Sequence, residues 1–139
     1  MIYLDTSVLI AMHTPEPGSQ IAIDWMARSP IQDFSISLWT VTEFTSALAR
    51  KVRMQRLSLD ESKQARAEFE VLRESLTVRV PEPEDFNLAS RMMDDPLSGL
   101  RAGDALHLAI VLRSRMMLAT FDTVLRKAAA AFDVEIVAI

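Results

Sequence analysis

The feature that most constrains this chain is a repeated change of apolar period. Short apolar runs at residues 2–4, 34–37, 77–80, 117–120 and 134–139 alternate with stretches whose apolar side chains return every third or fourth position. The runs read as strands and the stretches as helices. A first helix covers residues 6–12, with Thr6 as its cap, and ends before Pro15, Pro17 and Gly18. Residues 19–28 form a second, with Ala22, Trp25 and Met26 on one face. Val41, Phe44, Leu48 and Val52 mark a third over residues 40–53. Ser58 and Glu61 make a capping box ahead of a helix carrying Ala65, Phe69, Leu72 and Leu76. Pro83 suits the first turn of a helix over residues 83–93, followed by a loop at residues 94–99. Residues 102–113 are apolar enough to lie against a sheet, and Asp122 can cap a last helix with Val124, Leu125, Ala128 and Phe132 facing inward.

Strands separated by helices pair in parallel, because each crossover must return the chain to the same end of the sheet. The expected fold is therefore α/β, with helices on both faces. No repeat or linker interrupts the alternation, so residues 1–139 read as one domain. The chain is 50% hydrophobic and 24% charged, which suits a packed core and not a disordered tail.

Further limits follow from residue usage. There is no cysteine, so disulfides and thiolate metal sites are excluded. No basic region precedes a long apolar stretch at the N-terminus, which speaks against a signal peptide. The longest apolar run, residues 105–112, is interrupted by His107 and is too short to span a bilayer. The expected location is the cytoplasm. A net charge of −4 argues against a protein that coats nucleic acid. It leaves room for an enzyme with a basic rim and an acidic centre filled by metal.

In open parallel sheets, ligands bind beyond the carboxyl ends of the strands. Asp5 directly follows the first strand, and Asp122 follows the fourth after Thr120 and Phe121. Glu43 and Asp104 fall in the first turns of helices that border the same region. Each acid alone could simply cap a helix. Together they suggest more, because Glu43 and Asp104 sit among apolar neighbours, and buried carboxylates need a compensating cation. An all-oxygen set of this kind selects magnesium, manganese or calcium over zinc or copper. It suits phosphodiester hydrolysis, in which a metal activates water and a carboxylate takes its proton. Among the other polar residues, Arg101 is placed to touch phosphate. His107 reads as packed or hydrogen-bonded, not as a ligand, and His13 as exposed. Asp94 and Asp95 read as solvated, and the run Arg50, Lys51, Arg53, Arg56 as a solvated helix end.

Four segments, in order, carry a resemblance: Tyr-Leu-Asp-Thr-Ser-Val-Leu-Ile from Tyr3, Thr-Val-Thr-Glu-Phe from Thr40, Arg-Ala-Gly-Asp-Ala-Leu-His-Leu-Ala from Arg101, and Leu-Ala-Thr-Phe-Asp from Leu118. Together they resemble a PIN domain, and especially the VapC-type toxins of bacterial toxin–antitoxin pairs. The resemblance runs from Ile2 to the C-terminus. It implies a three-layer α/β/α fold with a parallel sheet of four or five strands. It also implies endonucleolytic cleavage of RNA with magnesium, or manganese in its place. Asp5, Glu43, Asp104 and Asp122 match the family's acidic quartet, as metal ligands and catalytic groups. Ser7 stands where many members of the family carry Asn, though Ser is also common there, and Ser7 and Thr120 are candidate donors to hold carboxylates in place. A homodimer is implied, as is a small antitoxin lying in a groove near the third and fourth helices. Leu48, Val52, Met54 and Leu57 are candidates to line that groove, with ordinary core packing as the alternative.

Other readings compete. A PIN-type nuclease can act in RNA processing or on DNA without being a toxin. A phosphatase using Asp5 as nucleophile would want an acid at position 7, which is Ser7. A phosphate-responsive receiver module would carry an aspartate after the third strand, where Pro81 and Glu82 stand.

Overall fold

The structure is a computed structural model that describes residues 1–96 and 99–139. The expected loop at residues 94–99 includes Leu97 and Ser98, which lie outside the described residues. The elements run β1 (Ile2–Leu4), α1 (Thr6–His13), α2 (Ser19–Ala27), β2 (Phe34–Ser37), α3 (Leu38–Arg53), α4 (Leu59–Arg73), β3 (Thr77–Arg79), α5 (Pro83–Met92), α6 (Ala102–Ser114), β4 (Met117–Ala119) and α7 (Thr123–Ala131).

The four strands form one sheet in the order β3-β2-β1-β4, and every pairing is parallel. Strand alternation divides the core into two layers. Leu4, Phe34, Ile36 and Ala119 point to one face, where they meet Val8, Trp25, Phe44 and Phe69 from α1–α4. Tyr3 and Leu118 point to the other, against Ala105, Leu108, Leu125 and other side chains of α5–α7. The α/β/α layering is therefore as expected. No helix among the described residues is long and apolar enough to cross a membrane.

Strand order fixes where a site can form. From β1 the chain steps outward to β2 and β3, then returns to place β4 on the other side of β1. The carboxyl ends of β1 and β4 thus flank the point where the winding reverses, and a crevice opens there.

Several local expectations are corrected. Asp5, not Thr6, caps α1: its Oδ1 accepts the Ser7 and Val8 amides, which places Thr6 inside the helix. Helix α3 begins at Leu38, before the expected residue 40, because Ser37 and Thr40 form a capping box. Leu76 is buried but lies beyond the end of α4. In α7 the inward stripe is Leu125 and Ala129, while Val124 and Phe132 are 39% and 38% exposed. His13 is half-buried: Nδ1 bonds the Leu9 carbonyl, and its ring packs edge-on against Phe44 and Phe69.

The run at 134–139 makes a single bridge, Ile136 to Leu118, and not a fifth strand. Leu48 and Leu57 are buried core residues, whereas Met54 is exposed. A groove between α3 and α4 does exist, lined by Thr45, Leu48, Val52, Arg53, Leu59 and Arg66.

Candidate active site

At the crevice a pocket of about 360 Å3 is lined by Trp39, Glu43, Arg101, Gly103, Asp104 and Asp122, among others. Three of the four expected acids therefore share one pocket. The fourth, Asp5, is buried at the carboxyl end of β1 and does not line it. Among the described residues, no three acids or histidines are close enough to form a ready-made metal cage.

Each carboxylate is held by its own local structure. Asp5 Oδ1 accepts the Ser7 hydroxyl and the two α1 amides, and Oδ2 accepts the Thr120 hydroxyl at 2.7 Å. Burial pushes the Asp5 carboxyl up, against the lowering pull of His107 and these donors. Asp122 caps α7 through Oδ1, which accepts the Val124 and Leu125 amides. Thr120 Oγ1 also accepts the Asp122 amide at 2.9 Å, so one side chain joins both acids. Capping, the plain alternative for these two aspartates, is thus realised. It does not exhaust them, because the Asp122 bonds leave Oδ2 uninvolved.

Asp104 stands in the first turn of α6 and is half-buried. Burial raises its carboxyl, and the charges of Asp122 and Glu43 raise it further. Glu43 projects from the first turns of α3. Its Oε2 accepts the Thr6 hydroxyl and pairs with His107 Nε2 at 2.7 Å. Burial would raise Glu43, but His107 and Thr6 together bring it below the ordinary carboxylate value.

Gly103 is a requirement of this geometry. A Cβ there would lie 2.8 Å from Glu43 Oε1 and 3.3 Å from Trp39 Cζ2. Glutamate side chains usually yield to such pressure, but this one is pinned through Oε2. In a helix without that neighbour, Gly→Ala would stabilise by about 1 kcal/mol. Gly103→Ala is instead expected to lower stability by roughly 1–2 kcal/mol, since overpacking costs about 1–3 kcal/mol. Chemical denaturation checks this. A gain of the full propensity amount would show that Glu43 moves aside freely.

The donor set suits a hard divalent cation. It is all oxygen, the charges of Asp122 and Glu43 raise the Asp104 carboxyl, and the absent Cβ at Gly103 leaves room for Glu43 Oε1 beside the pocket. Trp39 lines the same pocket, and its Nε1 is buried without a hydrogen-bond partner among the described residues. Arg101 is exposed at the rim. Asp94 and Asp95 are exposed and do not line the pocket. Arg50, Lys51 and Arg53 form the last turn of α3, with Lys51 paired to Glu16.

Sequence reading assigned no role to Tyr3 and misread Thr6. A tyrosine inside a three-residue apolar strand was a usable signal, because a buried phenol needs a partner. Thr6 offered none, since threonine beside an aspartate fits a cap as well as a ligand-holding donor.

Comparisons with known proteins agree with this architecture. A family model described as PIN domain matches residues 2–131. FitAcB from Neisseria gonorrhoeae superposes with a TM-score of 0.77 at 19% identity, covering 99% of this chain and 97% of that one. VapC20 from Mycobacterium tuberculosis, described as a toxin that cleaves the sarcin–ricin loop, gives 0.75 at 18% identity, covering 92% and 95%. VapBC2 from Rickettsia felis, bound to a DNA fragment from its promoter, gives 0.70 at 12% identity, covering 99% and 98%. At these identities the likeness is one of fold. A comparison with curated protein sequences gives no significant match.

Proposed function

The chain belongs to the PIN domain family, and on that premise we propose that it is a metal-dependent endoribonuclease, the toxin of a type II toxin–antitoxin pair. The observation that carries the reading is the crevice between β1 and β4, where Glu43, Asp104 and Asp122 line one pocket above the buried Asp5. Residues 1–139 act as a single nuclease domain in the cytoplasm. Fold neighbours described as a toxin, as a toxin–antitoxin complex and as VapBC2 bound to promoter DNA support the toxin role.

In this reading Asp5, Glu43, Asp104 and Asp122 hold magnesium, with manganese as a substitute. When bound, the ion supplies an acidified water and positive charge for the leaving oxygen of the phosphodiester. The chain's own groups do the rest. Asp104 and Asp122 face each other across the pocket, and their repulsion is relieved on loading. Asp5 anchors the floor through Ser7 and Thr120. Glu43 keeps Oε1 beside the pocket for the ion, and a carboxylate of the four takes the proton from water. Arg101 at the rim offers donors to phosphate oxygens. An RNA strand is the substrate. A small antitoxin occupies the groove between α3 and α4, and two copies of the chain form the dimer.

The purified protein is expected to cut RNA with magnesium or manganese and to stop in excess chelator. Cutting that continues in chelator would discard the metal mechanism. Asp5→Asn keeps an oxygen to cap α1 but removes the charge, so cleavage is expected to fall with the fold intact. Full activity in that variant would take Asp5 out of the site. Growth arrest on expression, relieved by the product of an adjacent short gene, would separate a toxin from an RNA-processing enzyme.

A further inference from the structure

Behind Glu43 a chain of side-chain hydrogen bonds runs into the core. His107 Nε2 lies 2.7 Å from Glu43 Oε2, and His107 Nδ1 lies 2.7 Å from the Tyr3 hydroxyl. The Tyr3 oxygen is also 2.7 Å from Ser37 Oγ and 3.0 Å from Thr40 Oγ1. Tyr3, Ser37 and Thr40 are fully buried and His107 is 1% exposed. The chain joins β1, the start of α3 and α6, the elements that bring the pocket's acids together.

Proton accounting gives the chain a direction. An ionised carboxylate only accepts, so His107 Nε2 must carry hydrogen toward Glu43. The Tyr3 hydroxyl holds Nδ1 from the other side: it donates to Nδ1 of a neutral ring and accepts from Nδ1–H of a charged one, and in both cases Ser37 and Thr40 take up its remaining hydrogen-bonding capacity. Every member is satisfied in either arrangement, with no buried atom unpaired.

We infer that Tyr3 and His107 are positioning residues: the phenol fixes the Nε2–H form of His107, which clamps Glu43 Oε2 and leaves Oε1 beside the pocket for a divalent cation. The inference rests on the metal-dependent reading of the site. The geometry supports a clamp over simple core filling in two ways. His107 reaches Glu43 by its polar edge only, and Thr6 meets the same oxygen from α1, so Oε2 is held from two elements. Meanwhile Oε1 lies against Gly103, where any Cβ would displace it.

Two measurements on the whole protein test this. The first is the nitrogen-15 spectrum of His107 in metal-free protein. It is expected to show hydrogen on Nε2 in the wild type and a mixture of forms, some without it, in Tyr3→Phe. A wild-type ring that lacks hydrogen on Nε2 overturns the clamp, whether or not the protein binds metal. The second is manganese affinity by titration of metal-free protein, with thermal unfolding alongside. His107→Ala is expected to lose about 10–100-fold, the usual range for residues that orient ligands. Tyr3→Phe should lose several-fold, and His107→Gln, which keeps a donor, should recover part of the loss. Unchanged affinity in folded Tyr3→Phe and His107→Ala overturns the positioning role. Failure of the wild type to bind manganese, with the Nε2–H form intact, instead sinks the metal reading.

Discussion

Replacing Asp104 by asparagine is expected to abolish RNA cleavage and, without divalent ions, to make the protein more stable. Asp104 has the pocket's least favourable electrostatics: it is buried against its own charge and also faces Asp122 and Glu43. Asparagine keeps the shape and removes the charge. Loss of a metal-holding carboxylate should cost on the order of a thousandfold in rate, comparable to removing a group that stabilises the transition state. The stability gain should be about 0.5–1 kcal/mol, or roughly 2–4 °C in unfolding midpoint. On the proposed metal-dependent reading both effects have one origin, because carboxylates gathered to hold a cation repel until the cation arrives.

The pH dependence follows from the same shift. Asp104 has a folded-state pKa raised above its ordinary 3.8, so the unfolded chain releases this proton at lower pH than the folded one. Wild-type stability therefore declines as pH rises from about 4 through the raised value, and the loss is complete above it. Asp104→Asn lacks that decline. The gap between the two proteins should be absent at the acid end and full at neutral pH. Glu43, whose carboxyl is lowered, contributes in the opposite sense: its stabilisation is present above the ordinary glutamate value and fades as pH falls through the folded-state one. Magnesium should reverse the order of stability at neutral pH, because ligand at a hundred times its dissociation constant adds about 2.7 kcal/mol to a protein that binds it. Melting both proteins in chelator and in magnesium checks this. A variant less stable than wild type in chelator at pH 7, or one gaining equally from magnesium, would remove Asp104 from the ion's shell.

The fold was legible because its period changes are local. Leu4, Phe34 and Ile36 had to be strand residues facing one core, and Phe44 and Leu48 had to be one helix face, whatever the rest of the chain did. The strand at 134–139 was misread for a non-local reason: its apolar run is real, but whether it pairs depends on docking beside β4, where it makes only the bridge from Ile136 to Leu118. Cap positions failed similarly, since Asp5, Thr6 and Ser37 all have capping chemistry and only the packed chain decides among them. At the site, the acids were readable as types at strand and helix ends, and three of them do meet in one pocket. The connections between them were not readable. Thr6 to Glu43, Thr120 to Asp5 and Tyr3 to His107 span from 37 to 115 residues of sequence, and no local pattern encodes such pairs.

Arg113→Ala is expected to destabilise the protein by about 3–5 kcal/mol, more than Asp85→Ala. Asp85 is completely buried between α5 and α6. Its two oxygens take a bidentate grip from Arg113, Nε to Oδ1 at 2.6 Å and Nη2 to Oδ2 at 2.9 Å. Oδ2 also accepts the Glu82 amide in the capping box that starts α5. The partners are unequal, because Arg113 is 30% exposed and also reaches Glu82. Losing Asp85 leaves a cation that can turn to water. Losing Arg113 leaves a buried carboxylate with one amide and no counter-charge, which must be endured or neutralised by a proton. The double variant should therefore be more stable than Arg113→Ala alone. The consequence reaches the active site through one rigid element, since α6 carries Arg113 near its end and Asp104 in its first turn. On the proposed reading, undocking α6 from α5 should weaken ion binding as well as stability, although Arg113 does not line the pocket. Denaturant titrations of the two single variants and the double one measure the coupling. Equal losses in the single variants, adding fully in the double, would mean that the pair contributes no more than two independent side chains.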